Sequence, residues 1–73
     1  MDERKLKEIL LRESPDFRQA HDEHQACERE LKKLVGKAFP DEADVQAEKE
    51  IKKRKLALKD RMYRLMQERA GRP

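Results

Sequence analysis

Apolar and semi-apolar side chains recur at steps of three and four along much of this chain, although 48% of the residues are charged. Such spacing places these side chains on one face of an α-helix. In the first half of the chain this face comprises Phe17, Ala20, His21, His24, Cys27, Leu31, Leu34 and Val35. In the second half it comprises Ile51, Leu58, Met62, Leu65 and Met66. The pattern predicts an all-α protein.

The size and composition of the chain restrict its class further. With 73 residues, we expect a single small domain over residues 1–73. Two Phe, one Tyr and no Trp disfavour an aromatic-rich β-sandwich and a catalytic cleft walled by a thick core. The single cysteine, Cys27, has no partner for an internal disulfide, which favours a reducing, cytoplasmic setting. We expect neither a membrane span nor a secretory signal, because no long apolar run is present.

Two breaks divide the helical pattern into three segments. At the first, Ser14 suits an N-cap and Pro15 suits the first helical position. Because proline removes a backbone donor, the helices on its two sides are either separate or joined at a kink. At the second break, Gly36 is expected to take the left-handed C-cap conformation, and Asp41 to cap the last helix. The predicted helices cover about 3–13, 15–35 and 42–70, with a loop over 36–41.

The short loop predicts how the two longer helices pair. A loop of about five residues favours antiparallel neighbours, so we expect a coiled-coil-like two-helix hairpin with residues 3–13 as an N-terminal extension. Pairing outward from the loop brings Leu34 and Val35 near Val45, Leu31 near Glu48, His24 near Lys55, Ala20 near Leu58, and Phe17 near Met62. This seam is thin and half polar, so the hairpin buries little apolar surface by itself.

A second apolar stripe follows the last helix and consists of Val45, Leu56 and Tyr63, which are 11 and 7 residues apart. It lies roughly 120° around the helix from the seam. Because a hairpin needs one apolar face per helix, the stripe favours a further covered surface, most simply a second copy of the chain. The alternative is that Leu56 and Tyr63 are isolated exposed side chains, which are common.

Two segments carry a resemblance to a known family. The run FRQAHDEH from Phe17 to His24, followed by Cys27, Glu28 and Leu31, resembles the first half of the YdcH-like family of small bacterial proteins of unassigned function. The run IKKRKLALKDRM, which begins at Ile51, resembles its second half. The resemblance covers roughly residues 6–66, with Ala20 and Cys27 in place of leucine and Glu28 in place of aspartate. It implies a cytoplasmic helical hairpin with coiled-coil character and no established activity.

His24, Glu28 and Lys55 form a polar cluster in the predicted seam. An ion pair between Glu28 and Lys55, with His24 beside it, would fix the helix register, because a polar group at a core position rejects slipped alignments. A metal site with His21 and Cys27 is disfavoured, since the Cys27 side chain points about 120° away from His21 on the helix. A pH switch at His24 is a further reading. We expect no metal ion and no cofactor.

A basic strip offers the main alternative function. Between Lys49 and Arg64 the chain holds eight basic and two acidic residues. Lys53, Arg54, Arg61 and Arg64 fall on the outer face over ~17 Å, where they could follow a phosphate backbone. Interleaved acids favour a solvated face instead, since they stand at ion-pair spacing in Glu48–Lys52, Glu50–Arg54 and Asp60–Arg64.

The sequence carries no arrangement typical of an enzyme. The two glycines are isolated and form no phosphate-binding loop, and a thiol in or beside a seam is usually inert. We therefore expect a non-enzymatic protein–protein interaction module that self-associates or binds another protein. We expect no membrane partner and no small-molecule substrate. The alternative is a nucleic-acid-associated protein that uses the basic strip.

Overall fold

The computed structural model describes residues 2–71, and three α-helices make up most of this segment. The helices are α1 (Glu3–Glu13), α2 (Pro15–Val35) and α3 (Glu42–Ala70). No strand occurs between residues 2 and 71, so the predicted all-α class is confirmed. The helix bounds agree with the apolar periodicity and the caps of the sequence. Residues 1, 72 and 73 of the expected domain lie outside the described segment.

Ser14 alone separates α1 from α2. Its backbone N–H donates to the Leu10 carbonyl at 2.8 Å, which ends α1. Its Oγ accepts a hydrogen bond from the Phe17 N–H at 3.2 Å, which begins α2. Ser14 is extended, with φ −110° and ψ 108°, and Pro15 follows where a helix needs no N–H donor. The chain therefore contains two separate helices here rather than one kinked helix.

The connection between α2 and α3 differs from expectation at Gly36. The predicted left-handed conformation is wrong, because Gly36 has φ −74° and ψ −8°. A tighter turn ends the helix instead, with the Lys37 N–H donating to the Leu34 carbonyl at 3.2 Å. At the start of α3, Asp41 and Asp44 form a reciprocal capping box, in which the Asp44 N–H donates to Asp41 Oδ1 at 2.8 Å.

The core lies where all three helices meet. Phe17 and Ala20 have no exposed surface, and α1 packs against both α2 and α3. The buried cluster comprises Leu6, Leu10, Phe17, Ala20, Cys27, Leu58, Met62 and Met66. Fully burying a leucine or phenylalanine side chain stabilises a fold by about 1.5–3 kcal/mol. The two leucines of α1 thus add substantially to a core whose other buried members come from α2 and α3.

The core thins toward the loop that joins α2 to α3. Leu31 is the last buried side chain of α2 in that direction. Val35 is 72% exposed, so its predicted place in the seam is wrong, and Val45 remains 44% exposed. The physical reason is that α2 ends at Val35 and the chain turns away there. A surface ion pair between Lys37 Nζ and Asp44, at 3.1 Å, links the two sides of the loop instead.

Candidate interaction surfaces

The apolar stripe of Val45, Leu56 and Tyr63 is uncovered. These side chains are 44%, 61% and 56% exposed, whereas Leu58 and Met62 of the same helix are buried in the core. The core and the stripe therefore occupy different faces of α3. Large apolar side chains aligned on one face define a candidate docking surface, whereas isolated ones do not.

Lysine side chains border this stripe. Helical spacing places Lys49, Lys52 and Lys59 beside it, and all three are exposed. Lys52 Nζ lies 3.0 Å from Glu48 Oε1, so one of these cations is paired. Glu48 and Asp60 stand beside the stripe at the same helical spacing, so it is an apolar surface with a border of mixed charge.

The basic strip of Lys53, Arg54, Arg61 and Arg64 lies on another side of α3. All four side chains are exposed, and none has a carboxylate within ion-pair distance among residues 2–71. The predicted pairs Glu50–Arg54 and Asp60–Arg64 are therefore wrong. The entropy lost in ordering two long exposed side chains about offsets the free energy of their screened attraction. Ion-pair spacing alone therefore does not ensure a contact. The strip presents four cations to solvent.

The structure brings the polar cluster of the seam together. Lys55 Nζ lies 2.7 Å from Glu28 Oε1, and both side chains are partly exposed. The hydrogen bond from Lys55 holds the pKa of Glu28 below its ordinary value. Desolvation lowers the pKa of His24, against the opposing effect of the Glu28 carboxylate. His24 Nε2 is buried and has no hydrogen-bond partner within the described segment. Burial thus favours the neutral form of the His24 imidazole.

The residues considered for metal chemistry do not converge. Within residues 2–71, no three side chains of the His, Cys, Asp and Glu types are arranged to hold a metal ion. His21 Nδ1 lies 3.7 Å from Asp22 Oδ1, while the free thiol of Cys27 is buried in the core. No helix in the same segment is both long and apolar enough to cross a membrane.

A groove between the helices was not foreseen from the sequence. It is lined by apolar side chains from all three helices, among them Leu11, Phe17, Met62 and Met66, and by both histidines. Lys7 of α1 and Lys59 of α3 also line it. Because this groove exists only when α1 docks on the other two helices, periodicity within one helix gives no signal for it.

Fold and surfaces together define a small three-helix protein whose prominent features are the apolar stripe and basic strip of α3. The chain belongs to the DUF465 family, described as a protein of unknown function, whose family model matches residues 17–66. YdcH-like proteins belong to this family, so the resemblance drawn from the sequence is confirmed. No curated protein and no solved structure matches the chain significantly. The family match covers α2 and most of α3, and it begins after α1.

Proposed function

We propose that this protein is a non-enzymatic interaction module that binds a second copy of itself through the stripe of Val45, Leu56 and Tyr63. The observation that supports this role is the 44–61% exposure of three large apolar side chains on one face of α3. A twofold contact would cover the stripe of both copies at once. Because each side chain is already about half buried, covering the rest would contribute roughly half of the ~1.5–3 kcal/mol that full burial is worth.

In this proposal α2 and α3 form an antiparallel, coiled-coil-like hairpin, and α3 carries the contact on its outer side. Two ion pairs support the antiparallel direction. Near the loop Lys37 pairs with Asp44, and further away Glu28 pairs with Lys55, so residue numbers fall along α2 as they rise along α3. In such a hairpin the seam leaves the stripe free for another chain.

The charged border of the stripe affects how self-association depends on salt. A twofold contact brings equivalent surfaces together, so the lysines and carboxylates of one border approach those of the other. Added salt screens the repulsions and the attractions between exposed charges alike. Self-association through the stripe should therefore depend only weakly on the salt concentration.

Sedimentation velocity at low and high salt tests this proposal. We expect a dimer at both salt concentrations, and a monomer when Leu56→Ser and Tyr63→Ser are combined. Phe39→Ser is the matched control, because Phe39 is 93% exposed but lies in the loop and not on α3. A monomer at every concentration, or a dimer that the paired substitutions leave intact, would contradict the role of the stripe.

Binding of nucleic acid is the second candidate function. Its supporting observation is the absence of a carboxylate partner for Lys53, Arg54, Arg61 and Arg64 within residues 2–71. Cations free of protein partners can replace the counterions of a phosphate backbone, and the resulting affinity falls steeply with salt. This steep salt dependence contrasts with the weak one expected for self-association.

Fluorescence anisotropy with single-stranded RNA and duplex DNA tests the second candidate. Binding should appear at low salt, weaken near physiological salt, and disappear when Lys53→Glu and Arg61→Glu are combined. Reversal of two other exposed charges, Lys5→Glu and Lys33→Glu, changes the net charge equally and should leave binding largely intact. Equal losses of affinity in the two double variants would show that binding depends on net charge alone. That result would exclude a specific role for the basic strip.

A further inference from the structure

The groove between the three helices is small and mostly apolar. Its apolar lining comes from all three helices and includes Leu11, Phe17, Met62 and Met66. Its volume is about 240 Å³, whereas pockets for drug-sized ligands measure about 300–1,000 Å³ and a dry apolar cavity of about 150 Å³ holds benzene. The groove therefore has room for a molecule larger than benzene and smaller than a typical drug, and it would favourably bury the apolar surface of such a molecule.

Two lysines place cations beside this apolar lining. Lys7 of α1 and Lys59 of α3 line the groove, and neither has a carboxylate within ion-pair distance among residues 2–71. Of the described residues that line the groove, only Glu3 is acidic, so the lining carries an excess of positive charge. A ligand carboxylate can accept hydrogen bonds from lysine ammonium groups, and such charge-assisted bonds are stronger than neutral ones.

His24 adds a polar atom without a partner to the wall of the groove. The residue lines the groove, and its buried Nε2 has no hydrogen-bond partner within the described segment. Buried polar atoms are normally hydrogen-bonded, and an unpaired one is destabilising. A neutral imidazole that carries its proton on Nε2 can donate to a carboxylate. An acceptor group of a ligand that reached this atom would therefore be stabilised.

We propose that the groove binds an amphipathic carboxylate, which is a small molecule with an apolar body and a single anionic head group. The body lies against Met62 and Met66, and the head group lies near Lys7 and Lys59. This site goes beyond the proposed function, because it takes a small ligand rather than a second copy of the chain. The two sites are neighbours, since Tyr63 belongs to the stripe and also lines the groove.

Methyl NMR of the full-length chain tests the proposal, with octanoate as the probe. Carbon-13 labelling of the methionine methyl groups places reporters at Met62 and Met66, which line the groove. Octylammonium has a similar alkyl chain and the opposite charge, and acetate has the same head group without the chain. We expect octanoate to shift both methyl resonances saturably, with a dissociation constant of about 1 mM or lower. Octylammonium and acetate should each bind at least about fivefold more weakly.

Two pairs of lysine substitutions separate the groove from the general charge of the protein. Lys7→Gln combined with Lys59→Gln should weaken octanoate binding at least about fivefold. Lys5→Gln combined with Lys33→Gln lowers the net charge equally at exposed positions outside the lining, and it should change the affinity by less than about twofold. Leu56→Ser should leave octanoate binding intact, which distinguishes a failure of this proposal from a failure of the proposed self-association.

Several results would overturn the proposal. These are equal affinities for octanoate and octylammonium, equal losses of affinity in the two pairs of lysine variants, and the absence of a saturable shift at Met62 and Met66. Backbone amide shifts of similar size at Val35 and Val45, near the loop, would show non-specific association of the alkyl chain and overturn it as well. Loss of binding with Leu56→Ser would assign octanoate to the stripe instead of the groove.

Discussion

A matched pair of phenylalanine substitutions provides the strictest test of the core. Phe17 has no exposed surface and lies where all three helices meet, whereas Phe39 is 93% exposed in the loop before α3. Phe17→Ala and Phe39→Ala remove the same atoms from these opposite environments. A difference between their effects on stability therefore measures packing rather than the chemistry of the substitution.

The expected magnitudes follow from burial. Truncating a fully buried phenylalanine to alanine costs about 3–5 kcal/mol, whereas exposed positions usually change stability by less than about 0.5 kcal/mol. A chain of this length has a free energy of unfolding of about 4–11 kcal/mol. With a urea dependence of about 1 kcal/mol per molar for a small domain, Phe17→Ala should lower the urea midpoint by about 3–5 M. Phe39→Ala should leave the midpoint nearly unchanged.

Urea titration followed by far-ultraviolet circular dichroism measures both variants. If Phe17→Ala is unfolded without urea, Phe17→Leu takes its place in the comparison. The leucine variant retains part of the buried surface, so its stability should lie between those of the wild-type chain and the alanine variant. Equal midpoints for Phe17→Ala and Phe39→Ala would refute the packing of α1 and α3 around Phe17.

Three further outcomes test the caps and the polar cluster. Asp41→Ala should lower the free energy of unfolding by about 1 kcal/mol in urea titration, whereas Glu42→Ala, outside the capping box, should have a smaller effect. Because the pKa of Glu28 is depressed, its ion pair stabilises the fold above pH 4.5, and this stabilisation is lost as the pH falls further. Lys55→Met should therefore reduce the loss of folding stability below pH 4.5. The pKa of His24 is also depressed, so stability should decrease as the pH falls through 6.5, and His24→Leu should remove that dependence in the same titrations.

The parts of the fold that sequence patterns predicted are those governed by neighbouring residues. Ser14 and Asp41 cap helices through backbone groups three positions away, so their roles follow from local chemistry. The burial of Phe17 and Met62 follows from helical periodicity, because one face of each helix must meet another element. The contact between Glu28 and Lys55 follows from counting outward from a short loop.

Features decided by tertiary geometry or small energy differences were not predictable in the same way. Gly36 has no side chain to exclude either handedness, and the adjoining turn decides its conformation. Glu50 and Arg54 have the spacing of an ion pair, but exposure makes its net energy too small to fix the side chains. The groove at Leu11 depends on where α1 docks, which no pattern within a single helix specifies.

Because the core is uneven, the proposed self-association should stabilise the end of the molecule near the loop. Phe17, Met62 and Met66 concentrate apolar burial at the end where α1 packs, whereas Val35 and Val45, at the other end, remain exposed. Regions with few buried apolar contacts open locally before the rest of a fold. If a second copy covers Val45, it adds apolar contacts at the end of the molecule where a single chain has the fewest. Hydrogen exchange at the start of α3 should then slow with dimer formation, while exchange around Phe17 should change little.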